Sequence, residues 1–73
     1  MKVLIGNRAY QMSKKEYQGL LRVASEQIPF GVYAIEKEGQ AELRRDACSS
    51  KTQLKELVRQ FKAHGYKVYA NGR

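Results

Sequence analysis

Apolar and polar residues alternate along this chain with two periods, and each change of period marks a boundary between elements. The chain opens with two short runs, "KVLI" and "RAYQM", on either side of Gly6 and Asn7. Gly and Asn tolerate the positive φ that tight hairpin turns require. The opening therefore predicts two strands joined by a two-residue turn.

The stretch "SKKEYQGLLRVASEQIPFG" changes to a helical period. Ser13 followed three residues later by Glu16 is a capping-box pattern, and Pro29 with Gly31 predicts the end of the helix. Gly19 inside the helix costs about 1 kcal/mol relative to Ala, which suggests close approach of a neighbouring element. The apolar positions recur at helical spacing and predict a core-facing stripe: Tyr17, Leu20, Leu21, Ala24 and Ile28.

The stretch "GVYAIEKEGQAELRRDAC" returns to a period of two and predicts a second hairpin that turns near Glu38 and Gly39. Its first arm is apolar on both sides. Strict alternation puts Val32 and Ala34 on one face of the sheet and Tyr33 with Ile35 on the other.

The remaining residues predict a capped helix and a last strand. Ser50 followed by Gln53 is another capping-box pattern, His64 and Gly65 close the helix, and "YKVYA" is the strand. The apolar stripe of this helix is clear: Leu54, Leu57, Val58 and Phe61.

The order hairpin, helix, hairpin, helix, strand predicts an α+β fold in one small domain, residues 1–73. The simplest arrangement is a mixed β-sheet with two amphipathic helices on one face. Leu20 and Leu57 are then core residues. The order contains the split β-α-β pattern that relates the chain to ferredoxin-like domains, a fold that does not by itself specify a function.

The net charge of +7 is concentrated in the C-terminal part of the chain. Residues 44–73 carry eight Lys/Arg against Asp46 and Glu56, whereas residues 1–43 carry six against five Glu. Such asymmetry is typical of proteins that bind a polyanion on one side, although basic residues also serve solubility. The sequence leaves both interpretations open.

On the second helix the basic residues line up. At 100° per residue, Lys51, Lys55, Arg59 and Lys62 form one basic ridge about 16 Å long, centred about 105° from the apolar stripe. Such a ridge suits a row of phosphates. Four further basic residues are predicted to widen it: Arg44, Arg45, Lys67 and Arg73. Tyr33 and Tyr69 are predicted either to stack on unpaired bases or to lie in the core.

Residues for catalysis are scarce, so the chain is predicted not to be an enzyme and to need no cofactor or metal. It has one Cys and one His and none of the common catalytic or nucleotide-binding motifs. Cys48 is expected to be a small core residue, His64 a helix cap, and Glu36 with Glu38 a solvated hairpin tip. With no apolar stretch long enough to span a membrane, the expected location is the cytoplasm.

The phrases "SKKEYQGLL" and "FKAHGYKVYANGR", together with the size and element order, resemble small proteins of phages and prophages from Gram-positive bacteria. The resemblance implies a protein that binds and redirects a host protein or nucleic acid, including inhibitors of host defence nucleases. Many such inhibitors are acidic mimics of DNA, and a charge of +7 departs from that pattern. The expected partners are therefore nucleic-acid phosphates or an acidic host protein surface, with an exposed edge strand available for a homodimer.

Overall fold

The computed structural model describes residues 1–72 and contains the predicted elements in the predicted order. Arg73 lies outside the described residues. The elements are β1 Lys2–Ile5, β2 Arg8–Gln11, α1 Lys14–Gln27, β3 Gly31–Lys37, β4 Gln40–Ala47, α2 Lys51–Ala63 and β5 Lys67–Asn71.

Both helices begin at the predicted caps. The Ser13 hydroxyl accepts from the Glu16 N–H at 3.2 Å, and the Glu16 carboxylate accepts from the Ser13 N–H at 3.0 Å, which completes a capping box. At α2 the Ser50 hydroxyl accepts from the Gln53 N–H at 3.1 Å. The Gln53 side chain instead accepts from the backbone N–H of Ser49 at 2.8 Å, so the second box is displaced by one residue.

The five strands form one mixed sheet in the order β2-β1-β4-β3-β5. β1 and β4 are parallel, and every other neighbouring pair is antiparallel. β4 and β5 therefore run parallel with β3 between them, and α2 connects them, which is the predicted split β-α-β unit. The α+β fold with a mixed sheet is confirmed.

The helices lie on opposite faces of this sheet, which we call the α1 face and the α2 face. On the α1 face Tyr17 packs against Val3 and Ala41. At the end of α1 the Asn71 side-chain amide donates to the Ser25 and Ile28 carbonyls, at 3.0 and 2.9 Å.

The α2 face carries the contacts of the second helix. The Arg44 guanidinium lies 5.3 Å from the centre of the Phe61 ring, and the Lys37 ammonium donates to the His64 carbonyl at 2.9 Å. Because the sheet is covered on both sides, β3 is buried on both: Ala34 faces α1 while Val32 and Ile35 face α2.

The prediction that both helices share one face is therefore wrong, and the reason is the position of β5. The connections β2-α1-β3 and β4-α2-β5 both cross the sheet in the same direction. Each connection joins two parallel strands, but β2 and β3 point in one direction and β4 and β5 in the other. Since crossovers between parallel strands are right-handed, the two helices must cover opposite faces.

A β-bulge at Tyr33 changes the alternation within β3. Val32 pairs with Asp46 and Ala70, but Ala34 pairs with Leu43 and Tyr69 because the register shifts between them. The bulge turns Val32 to the α2 face and leaves Tyr33 beside Tyr69 on the α1 face. The prediction that Val32 and Ala34 share a face is thus wrong.

The buried core is smaller than the apolar stripes suggest. α1 buries Tyr17 and Ala24, and Ile28 at its end is also buried, whereas α2 contributes no buried residue. Leu20 and Leu57, predicted to be core residues, are half-buried. Within residues 1–72, no helix has the length and apolar character needed to cross a membrane.

Candidate nucleic-acid interface

All four side chains of the basic ridge are exposed on α2. The helix returns antiparallel to β4 and β5, and the ridge is centred about 105° clockwise from the apolar stripe seen from the helix N-terminus. In a right-handed crossover this direction points toward β5, at the edge of the sheet. Leu54, in the apolar stripe, lies against Gly72 just beyond β5. The ridge therefore runs along the β5 flank of α2.

The members of the ridge differ in their partners. Arg59 forms an ion pair with Glu56, with an Nε to Oε2 distance of 3.1 Å, and this contact raises the pKa of Arg59 and lowers that of Glu56. Among residues 1–72, Lys51, Lys55 and Lys62 make no ion pair. Three ammonium groups thus remain available to an external anion.

Arg44, predicted to widen the ridge, is already neutralised. Its guanidinium contacts the Glu42 and Asp46 carboxylates, each at 2.7 Å, and lies over Phe61. The hydrogen bond that Arg44 donates to the Asp46 carboxylate is the main cause that raises the pKa of Arg44, and the hydrogen bond to Glu42 adds to it. Arg44 packs α2 on the sheet and is half-buried, so it is not part of the exposed ridge.

Two further predicted residues of the patch, Arg45 and Lys67, lie on the other face. Arg45 is exposed beside α1, and the Lys67 ammonium lies 5.1 Å from the centre of the Tyr69 ring on the α1 face. Arg73 lies outside the described residues. The predicted patch is therefore divided into the ridge on one face and, on the other, Arg45 on β4 and a separate group around Lys67 at β5.

Tyr33 and Tyr69 belong to this second group and are neither core nor fully exposed. Both are half-buried, with ring centroids 6.1 Å apart and planes tilted by 44°. The bulge in β3 and the pairing of β3 with the edge strand β5 place the two rings side by side. Their partial exposure leaves ring surface for a stacking partner.

A further feature of the α1 face was not predicted. Glu36, interpreted from the sequence as part of a solvated hairpin tip, is half-buried beside Tyr17 and Tyr69. Burial, followed by the Glu36 carboxylate, raises the pKa of both tyrosines. The Tyr17 hydroxyl is buried and has no hydrogen-bond partner among the described residues. The available signal was the pairing of Glu36 with Lys67 across β3 and β5, which requires the sheet order.

The backbone N–H groups of His64 and Cys48 both donate hydrogen bonds to backbone carbonyls. The His64 N–H donates to the Phe61 and Gln60 carbonyls at the end of α2, and the Cys48 N–H donates to the Phe30 carbonyl at 2.9 Å. Within the part of the chain that is described, no group of His, Cys, Asp and Glu side chains is arranged to hold a metal ion.

Comparisons of the chain with protein-family models, with curated proteins and with solved structures find no match.

Proposed function

We propose that this chain is a small basic binding protein without catalytic activity, acting in the cytoplasm, and that the basic ridge contacts nucleic-acid phosphates. The observation that supports the proposal is the line of Lys51, Lys55 and Lys62 on one flank of α2, exposed and without ion pairs among residues 1–72. Exposed lysines in a row bind a polyanion by releasing its condensed counterions.

The ridge favours backbone contact over base reading. It spans about 16 Å along the helix axis, enough for about three phosphates of one strand. Lysine ammonium groups act as point charges and contact phosphates without reporting the base sequence. Affinity should therefore fall with salt with a log-log slope of about −2 to −3, and the sequence of the nucleic acid should matter little at this surface.

The test is a titration with single- and double-stranded DNA and RNA at two salt concentrations. Replacing Lys51, Lys55 and Lys62 by Gln keeps helix propensity and leaves the Arg59–Glu56 pair intact. The matched control replaces Arg8, Lys15 and Arg22 by Gln. These residues are exposed on β2 and α1, away from the ridge, and the change removes the same total charge. The ridge variant should weaken binding and flatten the salt slope, and the control should bind like wild type.

The second function, implied by the resemblance to phage proteins, is regulation or inhibition of a host protein such as a defence nuclease. The same three lysines would then contact carboxylates on an acidic surface. If wild type binds none of the nucleic acids at low salt, or both variants bind equally, this second function replaces the first. β2 and β5 are the edges of the sheet, and a homodimer through an edge strand stays a prediction.

A further inference from the structure

A cleft of about 360 Å³ lies on the α1 face, between the N-terminal half of α1 and β5. It is separate from the ridge, which flanks β5 from the other side of the sheet. Six polar or aromatic side chains line it: Lys14, Tyr17, Gln18, Glu36, Lys67 and Tyr69.

Acceptor groups lie within the cleft. The half-buried Glu36 carboxylate makes no ion pair with another described residue. The neighbouring Tyr17 is only 3% exposed, and its buried hydroxyl has no hydrogen-bond partner among residues 1–72. A buried polar group without a partner is costly, so its persistence beside a carboxylate indicates a site that a ligand completes.

The rim of the cleft carries the opposite charge. Lys14 and Lys67 are both exposed, and the Lys67 ammonium rests over the ring of Tyr69. These two lysines repel a cationic ligand such as a lysine or arginine side chain and attract an anion. A ligand of this cleft must therefore offer neutral N–H donors to the Glu36 carboxylate. It must also carry a negatively charged oxygen that the two lysines on the rim can bind.

An unpaired nucleotide combines these two requirements, and guanine meets them best. Its Watson–Crick edge presents two adjacent N–H donors, the N1–H and the exocyclic amine, which match the two oxygens of a carboxylate. Adenine and cytosine place a ring acceptor beside their amine, and thymine and uracil flank their single N–H with carbonyls. Those acceptors would face the carboxylate and weaken binding.

We propose that this cleft takes one unpaired base of a single strand and prefers guanine. Glu36 accepts from the base edge, Tyr69 stacks on the ring, and Lys67 with Lys14 contacts the flanking phosphates. The Tyr17 hydroxyl lies beside this carboxylate and lacks a partner among residues 1–72 until the base is bound. This inference rests on the proposed function, since the ridge across the β5 edge supplies the nonspecific contacts to the same strand.

The experiment compares fluorescein-labelled oligothymidines of about 15 nucleotides that carry one central guanine, inosine or adenine. Wild type should bind the guanine strand about tenfold more tightly than the adenine strand. Inosine keeps the N1–H but lacks the amine, so it should bind with intermediate affinity. This comparison needs no variant and therefore does not depend on the folding of one.

Two variants then assign the preference to the cleft. Glu36→Gln should abolish the guanine preference while salt-dependent binding of all strands remains. Glu38→Gln, a matched change at the exposed hairpin turn, should leave the preference unchanged. Equal affinity of wild type for the three strands, or a preference that survives Glu36→Gln, overturns this inference and leaves the proposed function standing. Loss of binding to every strand at low salt overturns both.

Discussion

Gly31 and Gly19 differ in the space that a Cβ atom would have at each position. Gly31 begins β3 with φ of +150°, and a Cβ there would lie 2.3 Å from the Asp46 carbonyl oxygen and 2.8 Å from the Ala47 Cα. Gly19 lies in α1 with no heavy atom within 4 Å of a Cβ position, so the close approach expected from the sequence is wrong.

We expect opposite effects of alanine at these two positions. Gly31→Ala should lower the free energy of unfolding by about 3 kcal/mol or more, because backbone strain and a clash with backbone atoms both arise. Gly19→Ala should raise it by about 1 kcal/mol, because helix propensity improves at no steric cost. Urea denaturation of the two variants checks this, and the same sign of effect at both positions would contradict it.

Tyr17 makes the free energy of unfolding fall as the pH rises in the alkaline range. Its folded pKa lies above the ordinary tyrosine value because the hydroxyl is buried beside Glu36. The folded state thus holds the proton more tightly than the unfolded state does, so the contribution is fully present below about pH 10 and is lost as the pH rises further.

The expected result is that Tyr17→Phe flattens the fall in unfolding free energy above about pH 10. At neutral pH the variant should be at least as stable as wild type, because it removes a buried hydroxyl that has no hydrogen-bond partner among the described residues. Tyr10→Phe, at a position that is 42% exposed on β2, is the control. An alkaline decline identical in all three proteins would disprove this assignment.

At the scale of elements, β3 is the strand on which both halves of the core depend. It pairs with β4 and β5 and is covered by one helix on each face. Ile35, 3% exposed on its α2 face, lies under a helix whose apolar residues are at most half-buried. On the α2 face, β3 residues therefore contribute more to the free energy of unfolding than residues of α2 do.

Truncation at the two sides of this contact should differ in cost. We expect Ile35→Ala to lower the free energy of unfolding by about 3 kcal/mol, and Leu57→Ala, which is half-buried, by only about 1 kcal/mol. Chemical denaturation of both variants provides the measurement. Equal losses would mean that α2 packs more tightly than the described contacts indicate.

Local patterns determined the elements but not their arrangement in space. The Ser13 and Ser50 caps, the Gly6-Asn7 turn and the two helical stripes are short-range signals, and the structure contains each of them. The face that α2 covers depends on which edge of the sheet β5 joins, a choice between distant segments that periodicity does not encode. The bulge at Tyr33 likewise appears only when β3 is paired with both of its neighbours.

For the molecule as a whole, the same limit applies to the candidate site. The ridge lies within one helix, so its four residues could be placed together from the sequence at 100° per residue. The group around Glu36 draws residues from α1, β3 and β5, and only the sheet brings them together. Arg44 and Arg45 are neighbours in sequence, yet one packs under α2 and the other lies beside α1.

The absence of buried residues from α2 has a consequence for amide hydrogen exchange. A helix attached by half-buried contacts at one edge of a sheet can open without the rest of the domain unfolding. We expect amide protons in the middle of α2 to exchange faster than those of α1 and β3. Saturating single-stranded DNA should slow exchange in α2 specifically, because a bound anion on its flank favours the closed helix. Exchange followed by NMR with and without DNA measures both effects, and uniform protection across the two helices would show that the domain opens only as one unit.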